Sequence, residues 1–343
     1  MKMTMRIFAA VCISLAAILF GVALGSVYIP LGDIMHILGH RAAGIPLPDH
    51  IRDTTVSILW NLRLPRTLLA FIAGGALSVS GAVMQSILRN PLASPYTIGV
   101  SSGASFGACL VILFGLAIPL VGPLTLPLAG FVFGFGTIMM AIAIASRLDA
   151  QMASNTIILA GMVFSLFVNA ITTLLSALQR EHLQRLLFWQ MGSFSMRDWQ
   201  AVVILAPVAL VGVSYIAHLN RELDMMTFGE EQAMTMGVKL KRVKWILLVA
   251  SAGLTGSVIA FVGVIGFVDL VVPHIVRKLY GSSHRHVIPA SALLGGAFMV
   301  VCDLAARLAI PANELPVGAV TALIGAPFFA YLYFGRRGRS VNA

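Results

Sequence analysis

The sequence predicts an all-α polytopic membrane protein of ten transmembrane helices, with one short capped helix between spans and one short outer interfacial helix. Three observations lead there. Of 343 residues, 59% are hydrophobic and 10% charged, against about 25% charged in a soluble globular chain, and the mean hydropathy is +0.94. Apolar runs of about 20 residues recur along the chain, each long enough to cross a ~30 Å hydrocarbon core as a helix. Runs of that length, each crossing as a helix that satisfies its own backbone, make the chain a polytopic membrane protein. The net charge of +10 would point to nucleic acid in a soluble protein. Here the basic residues fall at span ends and in loops, so no nucleic-acid partner is expected.

In chain order, the spans fall at about 7–29, 67–87, 96–119, 124–146, 155–178, 200–219, 245–263, 264–280, 287–309 and 316–334. The first follows MKMTMR and outruns a signal-peptide core, so it is expected to stay as an uncleaved span. Residues 30–66 form a long mixed segment on the opposite side. The segment 179–199 is amphipathic and carries Trp189 and Trp199, side chains favoured at a membrane interface, so a short helix along the outer surface is expected. The seventh and eighth spans are separated only by an assumed tight turn around Gly263–Gly266. No soluble domain can be cut out, so residues 1–343 form one domain.

Ten spans put both termini on one side. With these boundaries that side holds 15 of the 23 Lys and Arg residues, leaving 8 on the other. The positive-inside bias therefore places both termini in the cytoplasm.

The longest polar interruption of the second half is 225–244, MMTFGEEQAMTMGVKLKRVK. Thr227 and Glu230 have capping-box spacing. Glu230 and Glu231 then fall in the first turn, where the helix dipole favours negative charge. Gly237 stands where a left-handed C′ residue would end the helix, and Lys239, Lys241, Arg242 and Lys244 follow. A short helix at about 227–237 with a basic collar is expected on the cytoplasmic side.

Other motifs carry less. GVSSG at 99–103 matches the serine-hydrolase elbow, but it opens an apolar span, and helix packing explains it better. Gly99, Gly103, Gly107, Gly130 and Gly134 have small-xxx-small spacing, read as tight packing within the chain and not as dimer motifs. The eight histidines and Cys12, Cys109 and Cys302 show no ligand spacing, so no metal site is expected and the cysteines are read as packing residues. No Gly-Lys dipeptide occurs, hence no phosphate loop. Asp303 and Arg307 can neutralise each other at i,i+4. Asp269 has no such neighbour; facing a water-filled path and sitting at a re-entrant turn both stay open. A single intramembrane carboxylate leaves an ion-gradient-driven transporter as an alternative.

Several stretches together resemble the FecCD-type permeases, membrane subunits of ATP-driven importers for ferric siderophores, haem and cobalamin. These are RLPRTLLAFIAGGALSVSGAVMQSILRNPLASPYTIGVSSGASFGA (63–108), IILAGM (157–162), FWQMGSFS (188–195), GFVDLVVPHIVR (266–277) and ELPVGAVTALIGAPFFAYLY (314–333). The resemblance covers nearly the whole chain. It implies a homodimer in the inner membrane around a translocation path, two ATPase subunits that bind the ATP and Mg, and an outer substrate-binding protein. No cofactor in this chain and no enzymatic activity of its own are implied. Position by position, Gly229, Glu230, Glu231, Met234 and Gly237 match the coupling helix that meets the ATPase. Arg63, Arg66 and Arg307 match arginines that meet acidic residues of the docked binding protein. Ser154 and Asn155 fall where the family places a cytoplasmic gate. Asp269 departs from the glycine usual there.

Overall fold

The computed structural model describes residues 2–25, 27–149, 152–310 and 313–340; the side chains of Arg336, Arg337 and Arg339, counted in the charge bias, lie outside those described. Fifteen α-helices build it: α1 (Lys2–Ala23), α2 (Leu31–Ala43), α3 (Asp53–Ser57), α4 (Leu64–Ile87), α5 (Val100–Phe114), α6 (Thr125–Leu148), α7 (Ser154–Leu178), α8 (Leu183–Gln190), α9 (Trp199–His218), α10 (Asn220–Thr227), α11 (Glu230–Thr235), α12 (Leu240–Val262), α13 (Val268–Tyr280), α14 (His284–Leu308) and α15 (Val317–Ser340).

Ten of these overlie the ten expected spans. Among the described residues, seven helical stretches are long and apolar enough to cross a membrane. The other three are shorter: α5 has 15 residues, α13 has 13, and the apolar part of α15 is Val317–Tyr331. Thirteen residues rise only about 20 Å. Seven spans are thus assigned by length and composition, where the sequence predicts ten.

The outer segment 30–66 is more helical than expected. α3 runs through a π-helical segment, Ile58–Arg63, directly into α4, so one helical stretch covers Asp53–Ile87. Pro65 explains the irregularity. In this register Leu64 N–H bonds the Leu59 carbonyl. Pro65 has no N–H to give the next carbonyl, that of Trp60, and the Trp199 indole donates to it instead at 2.8 Å. Trp199 also packs against Trp60, with ring centroids 5.2 Å apart and the planes tilted by 41°. It clamps the start of α9 to the π segment.

α4 is the axis of the molecule. Its apolar window is 83% buried, against 22% for α7 and 28% for α1 and α9, and α14, α13, α12 and α9 pack around it. Small residues permit this closeness. A Cβ on Gly75 would stand 2.7 Å from the Ala292 carbonyl of α14, and one on Gly107 of α5 would stand 2.5 Å from the Ala129 carbonyl of α6. The glycine spacing therefore serves packing within the chain; Gly99 itself precedes α5 with φ +104. Of the cysteines, Cys109 and Cys302 are buried, whereas Cys12 is exposed and is not a packing residue.

α8 forms where an outer helix is expected, with Leu183, Leu187 and Phe188 exposed along one edge and Leu186 buried along the other. Trp189 packs into the core, its indole nitrogen buried. The loop after α8 stitches three elements: Ser193 N–H donates to the Val262 carbonyl at 2.8 Å, and Val317 N–H to the Gly192 carbonyl at 3.1 Å. Gly263 ends α12 with φ +76, and a short non-helical stretch then leads to α13, as the assumed turn requires.

Candidate functional site

The polar interruption folds as two short helices, α10 and α11. The N-terminal cap differs from the capping-box expectation. Thr227 closes α10, its hydroxyl donating to the Asp224 carbonyl at 2.6 Å. Gly229, with φ +129, breaks the chain between the helices and is the N-cap of α11. The C-terminal end forms as Gly237 foretells. With Gly237 at φ +88, its N–H donates to the Met234 carbonyl and Val238 N–H to the Ala233 carbonyl, both at 3.0 Å. This is a Schellman motif, with Ala233 and Val238 buried beneath it.

Glu230 and Glu231 occupy the first turn of α11, but they differ in role. Glu231 is exposed. Glu230 faces inward and accepts from Lys244 Nζ at 2.7 Å. The outward edge is apolar: Phe228 is 71% exposed, Met234 46% and Met236 47%. Exposed apolar groups on a polar loop mark a contact surface, and methionine adapts its shape to a partner. Phe228 carries no sequence motif, so only the fold reveals it.

Ser154 and Asn155 open α7, Ser154 half-buried and Asn155 exposed. The turn before them is held by Asp149, whose Oδ2 accepts Ala153 N–H at 2.8 Å and the Thr156 hydroxyl at 3.3 Å.

On the opposite side the three arginines are not free surface groups. Arg63 is 6% exposed, and it donates to the carbonyls of Val22 at 3.2 Å and Ala23 at 3.0 Å, and to that of Val27. Arg66 grips two acids. Its Nε and NH2 meet Asp303 Oδ1 at 3.0 and 2.8 Å, and its NH1 meets both Glu314 oxygens at 2.8 and 2.9 Å. Arg307 donates to the Gly21 carbonyl at 2.9 Å and lies 3.1 Å from Asp303 Oδ2. The expected Asp303–Arg307 pair is therefore present, with Arg66 as a further partner.

These groups surround a cavity of about 250 Å³ lined by Arg63, Arg66, Arg197, Arg307 and Glu314 among others. Arg197, unmarked by any motif, brings a buried Nε without a partner, and burial pushes its guanidinium below the ordinary arginine range, Asp198 offsetting part of the shift. Burial alone would raise the Glu314 carboxyl. Hydrogen bonds from Arg66 and Ser195 and the charges of Arg66 and Arg307 outweigh it and hold Glu314 below the usual range. Asp303 and Glu314 offset Arg66 and Arg307, so the positive charge that suits the cavity to an anion comes from Arg63 and Arg197, the latter partly offset by Asp198.

Asp269 is buried in the first turn of α13, where its carboxylate accepts from the Ser94 hydroxyl. It thus ties the loop before α5 to α13, next to Gly81, whose Cβ position is filled by the Asp269 backbone. Ser101 lies in the first turn of α5 with a 3₁₀ turn before it, not a strand. A serine–histidine–aspartate sequence of contacts occurs elsewhere. Ser86 Oγ is 2.6 Å from His284 Nε2, and His284 Nδ1 is 2.6 Å from Asp224 Oδ1. Ser86 is nonetheless buried within α4, donates to the Ala82 carbonyl at 2.9 Å and accepts from Arg277 at 3.2 Å. It is a link in a structural network joining α10 to α4, α13 and α14, not a nucleophile.

Comparison with known proteins agrees with this architecture. The model of the FecCD transport family matches residues 13–335. An ABC transporter permease protein of Bacillus subtilis, YvrB, is 42% identical over 95% of this chain and 92% of its own. The cobalamin import system permease BtuC of Halobacterium salinarum is 37% identical over 88% of this chain and 79% of its own. A solved structure of a metal-chelate type ABC transporter in an inward-facing conformation superposes with a TM-score of 0.84 at 30% identity, covering 97% of this chain and 99% of that one. The helical body around α4, the capped α11 and these matches together place the chain in the FecCD transport family, as a permease subunit of an ABC importer.

Proposed function

We propose that the chain forms the membrane path of a binding-protein-dependent importer whose ATP is hydrolysed on separate subunits. The observation that carries the reading is α11: a helix closed by a Schellman motif, braced by Glu230 and presenting Phe228, Met234 and Met236 outward. A helix whose C-terminal end is closed and whose first turn is pinned through Glu230 to Lys244 transmits a push with less unwinding. In this reading two ATPase subunits hold the apolar edges of α11 in a homodimer and bind the ATP and Mg, and their motion opens and closes the path near Ser154 and Asn155 by alternating access. The shorter helices α5, α13 and α15 complete ten spans, with both termini in the cytoplasm of a cell bounded by this inner membrane.

On the outer side, the arginine-lined cavity receives an acidic side chain of the binding protein. Arg66 and Arg307 are neutralised by Asp303 and Glu314, so Arg63 and Arg197 supply its positive potential, and Arg197 brings a buried Nε without a partner. The cargo is a metal chelate, a ferric siderophore first, with haem and cobalamin as alternatives; the kinship to a cobalamin import permease and to a metal-chelate type transporter supports the class. Asp269 is buried and tied to Ser94 through one carboxylate oxygen while the other has no partner, so an ion-gradient mechanism is distinguished from this one by whether uptake needs ATP.

Gly237→Pro, which removes the N–H that closes α11, and Glu231→Lys, which reverses the exposed acid at its start, should each lower ATP-driven uptake by at least tenfold in proteoliposomes. Unchanged uptake and unchanged ATP hydrolysis in both variants would contradict the assignment of α11.

A further inference from the structure

Lys244 is the one lysine whose side chain is fully buried among the described residues, at 0% exposed. Its position is unfavourable for a charge. A lysine pays a desolvation penalty on burial, and Lys244 sits in the second turn of α12 with no carboxylate on its own helix turn to offset it. A leucine or methionine would fill the same volume without that penalty. What the ammonium gains is a pair of acceptors on two other elements: Glu230 Oε1 of α11 at 2.7 Å and the Met152 carbonyl at 2.8 Å.

Those partners have separate places in the chain. Glu230 starts the helix that faces outward through Met234. Met152 stands two residues before Ser154, in the left-handed region at φ +54, a conformation a methionine holds only where its surroundings enforce it. Asp149 grips the far side of the same turn through Ala153 N–H. The start of α7 is therefore held by a carboxylate from its own loop and by an ammonium from α12. The ammonium is in turn held by α11.

We infer that Lys244 is a positioning residue that transmits displacement of α11 to the start of α7, so that one rigid strap, Glu230–Lys244–Met152, couples the motor contact to the gate. The inference rests on the proposed roles of α11 and of Ser154 and Asn155. A motion of α11 by an ångström or two cannot stretch two charge-assisted hydrogen bonds of 2.7–2.8 Å; it must carry Met152 along or break the strap. Lys239, Lys241 and Arg242 of the same basic run are exposed and have no part in it.

The test uses the assembled permease–ATPase complex in proteoliposomes, with Cys12 replaced by alanine and a single exposed cysteine introduced as Asn155→Cys. Labelling of that cysteine by a membrane-impermeant maleimide is followed with and without ATP, alongside uptake per ATP hydrolysed. With Lys244 present, the labelling rate should change severalfold on adding ATP. In Lys244→Met the ATPase should still co-purify, because Lys244 is buried inside the chain, while the labelling response disappears and uptake per ATP falls at least tenfold. Lys244→Arg, which can still reach both acceptors, should recover part of both. Should Lys244→Met fail to assemble, Glu230→Met combined with Lys244→Met removes both charges and leaves an apolar contact; its labelling should likewise be blind to ATP. A wild-type labelling response in Lys244→Met, or in the double variant, overturns the strap. Loss of the response with Lys244 intact overturns the gate reading itself, and the strap with it.

Discussion

Replacing Asp303 by asparagine tests the electrostatic core beneath the arginine-lined cavity. Arg66 and Arg307 are balanced by Asp303 and Glu314, two cations against two anions. Asp303 is 1% exposed in its side chain, whereas Glu314 is 43% exposed, so Asp303 carries most of the compensation in low dielectric. The asparagine would keep the shape but leave one positive charge in excess. Its amide nitrogen would also present donors to guanidinium donors, with a single oxygen left to accept. Breaking a buried pair by removing one partner costs about 3–5 kcal/mol. Glu314 stays within reach of Arg66, so the lower end, about 3 kcal/mol, is expected. That is a loss of roughly 150-fold in the folded-to-unfolded ratio, read from denaturant titration of the purified protein in detergent. Adding Arg307→Gln restores neutrality, so the double variant should be less destabilised than the sum of the singles, by about 0.5–3 kcal/mol. A loss below about 1 kcal/mol for Asp303→Asn, together with simple additivity, would refute the claim that this cluster is held by charge balance.

Two further predictions concern the same side of the molecule. Arg197→Glu should weaken binding-protein affinity at least tenfold, most clearly at low salt where screening is least, while leaving the Arg66–Asp303 pair intact; an unchanged dissociation constant would remove Arg197 from the docking surface. The Glu314 carboxyl is held below its ordinary range, so its ion pair contributes stability above the unfolded-state value, and that contribution is lost as pH falls through the lower folded-state value. Acid titration of unfolding should therefore show an extra loss of stability below about pH 4.3 that Glu314→Gln abolishes; an unaltered acid limb in that variant would contradict the pairing.

The parts of this architecture that hydropathy and turn chemistry encode locally are the parts the sequence shows. Ten apolar runs became ten helices, and Gly237 announced the end of α11 because a left-handed residue after a short helix has few alternatives to glycine. The glycine spacing in α5 and α6 likewise foretold backbone contact. What escaped depends on partners far away in sequence. Arg66 meets Asp303 across 237 positions and Lys244 meets Met152 across 92; no periodicity signals either. The arginines at span ends read as surface groups because nothing local shows that α3 continues into α4 through a π segment with Arg63 and Arg66 buried beside it. Thr227 matched a capping box by spacing, yet Gly229 interrupts the backbone between the two residues and a spacing rule is blind to that. Phe228 drew no attention in an apolar chain, and only its exposure beside Met234 and Met236 makes it informative.

The central claim, that motor force enters through α11 of a FecCD-family permease, is tested most directly by uptake of a radiolabelled ferric chelate or cobalamin into proteoliposomes containing this chain with its ATPase and binding protein. Accumulation should require ATP hydrolysis and the binding protein, persist when ion gradients are collapsed, and fall at least tenfold in Phe228→Ser combined with Met234→Ser. Accumulation driven by an ion gradient without ATP, or left intact by that double variant, would contradict the account.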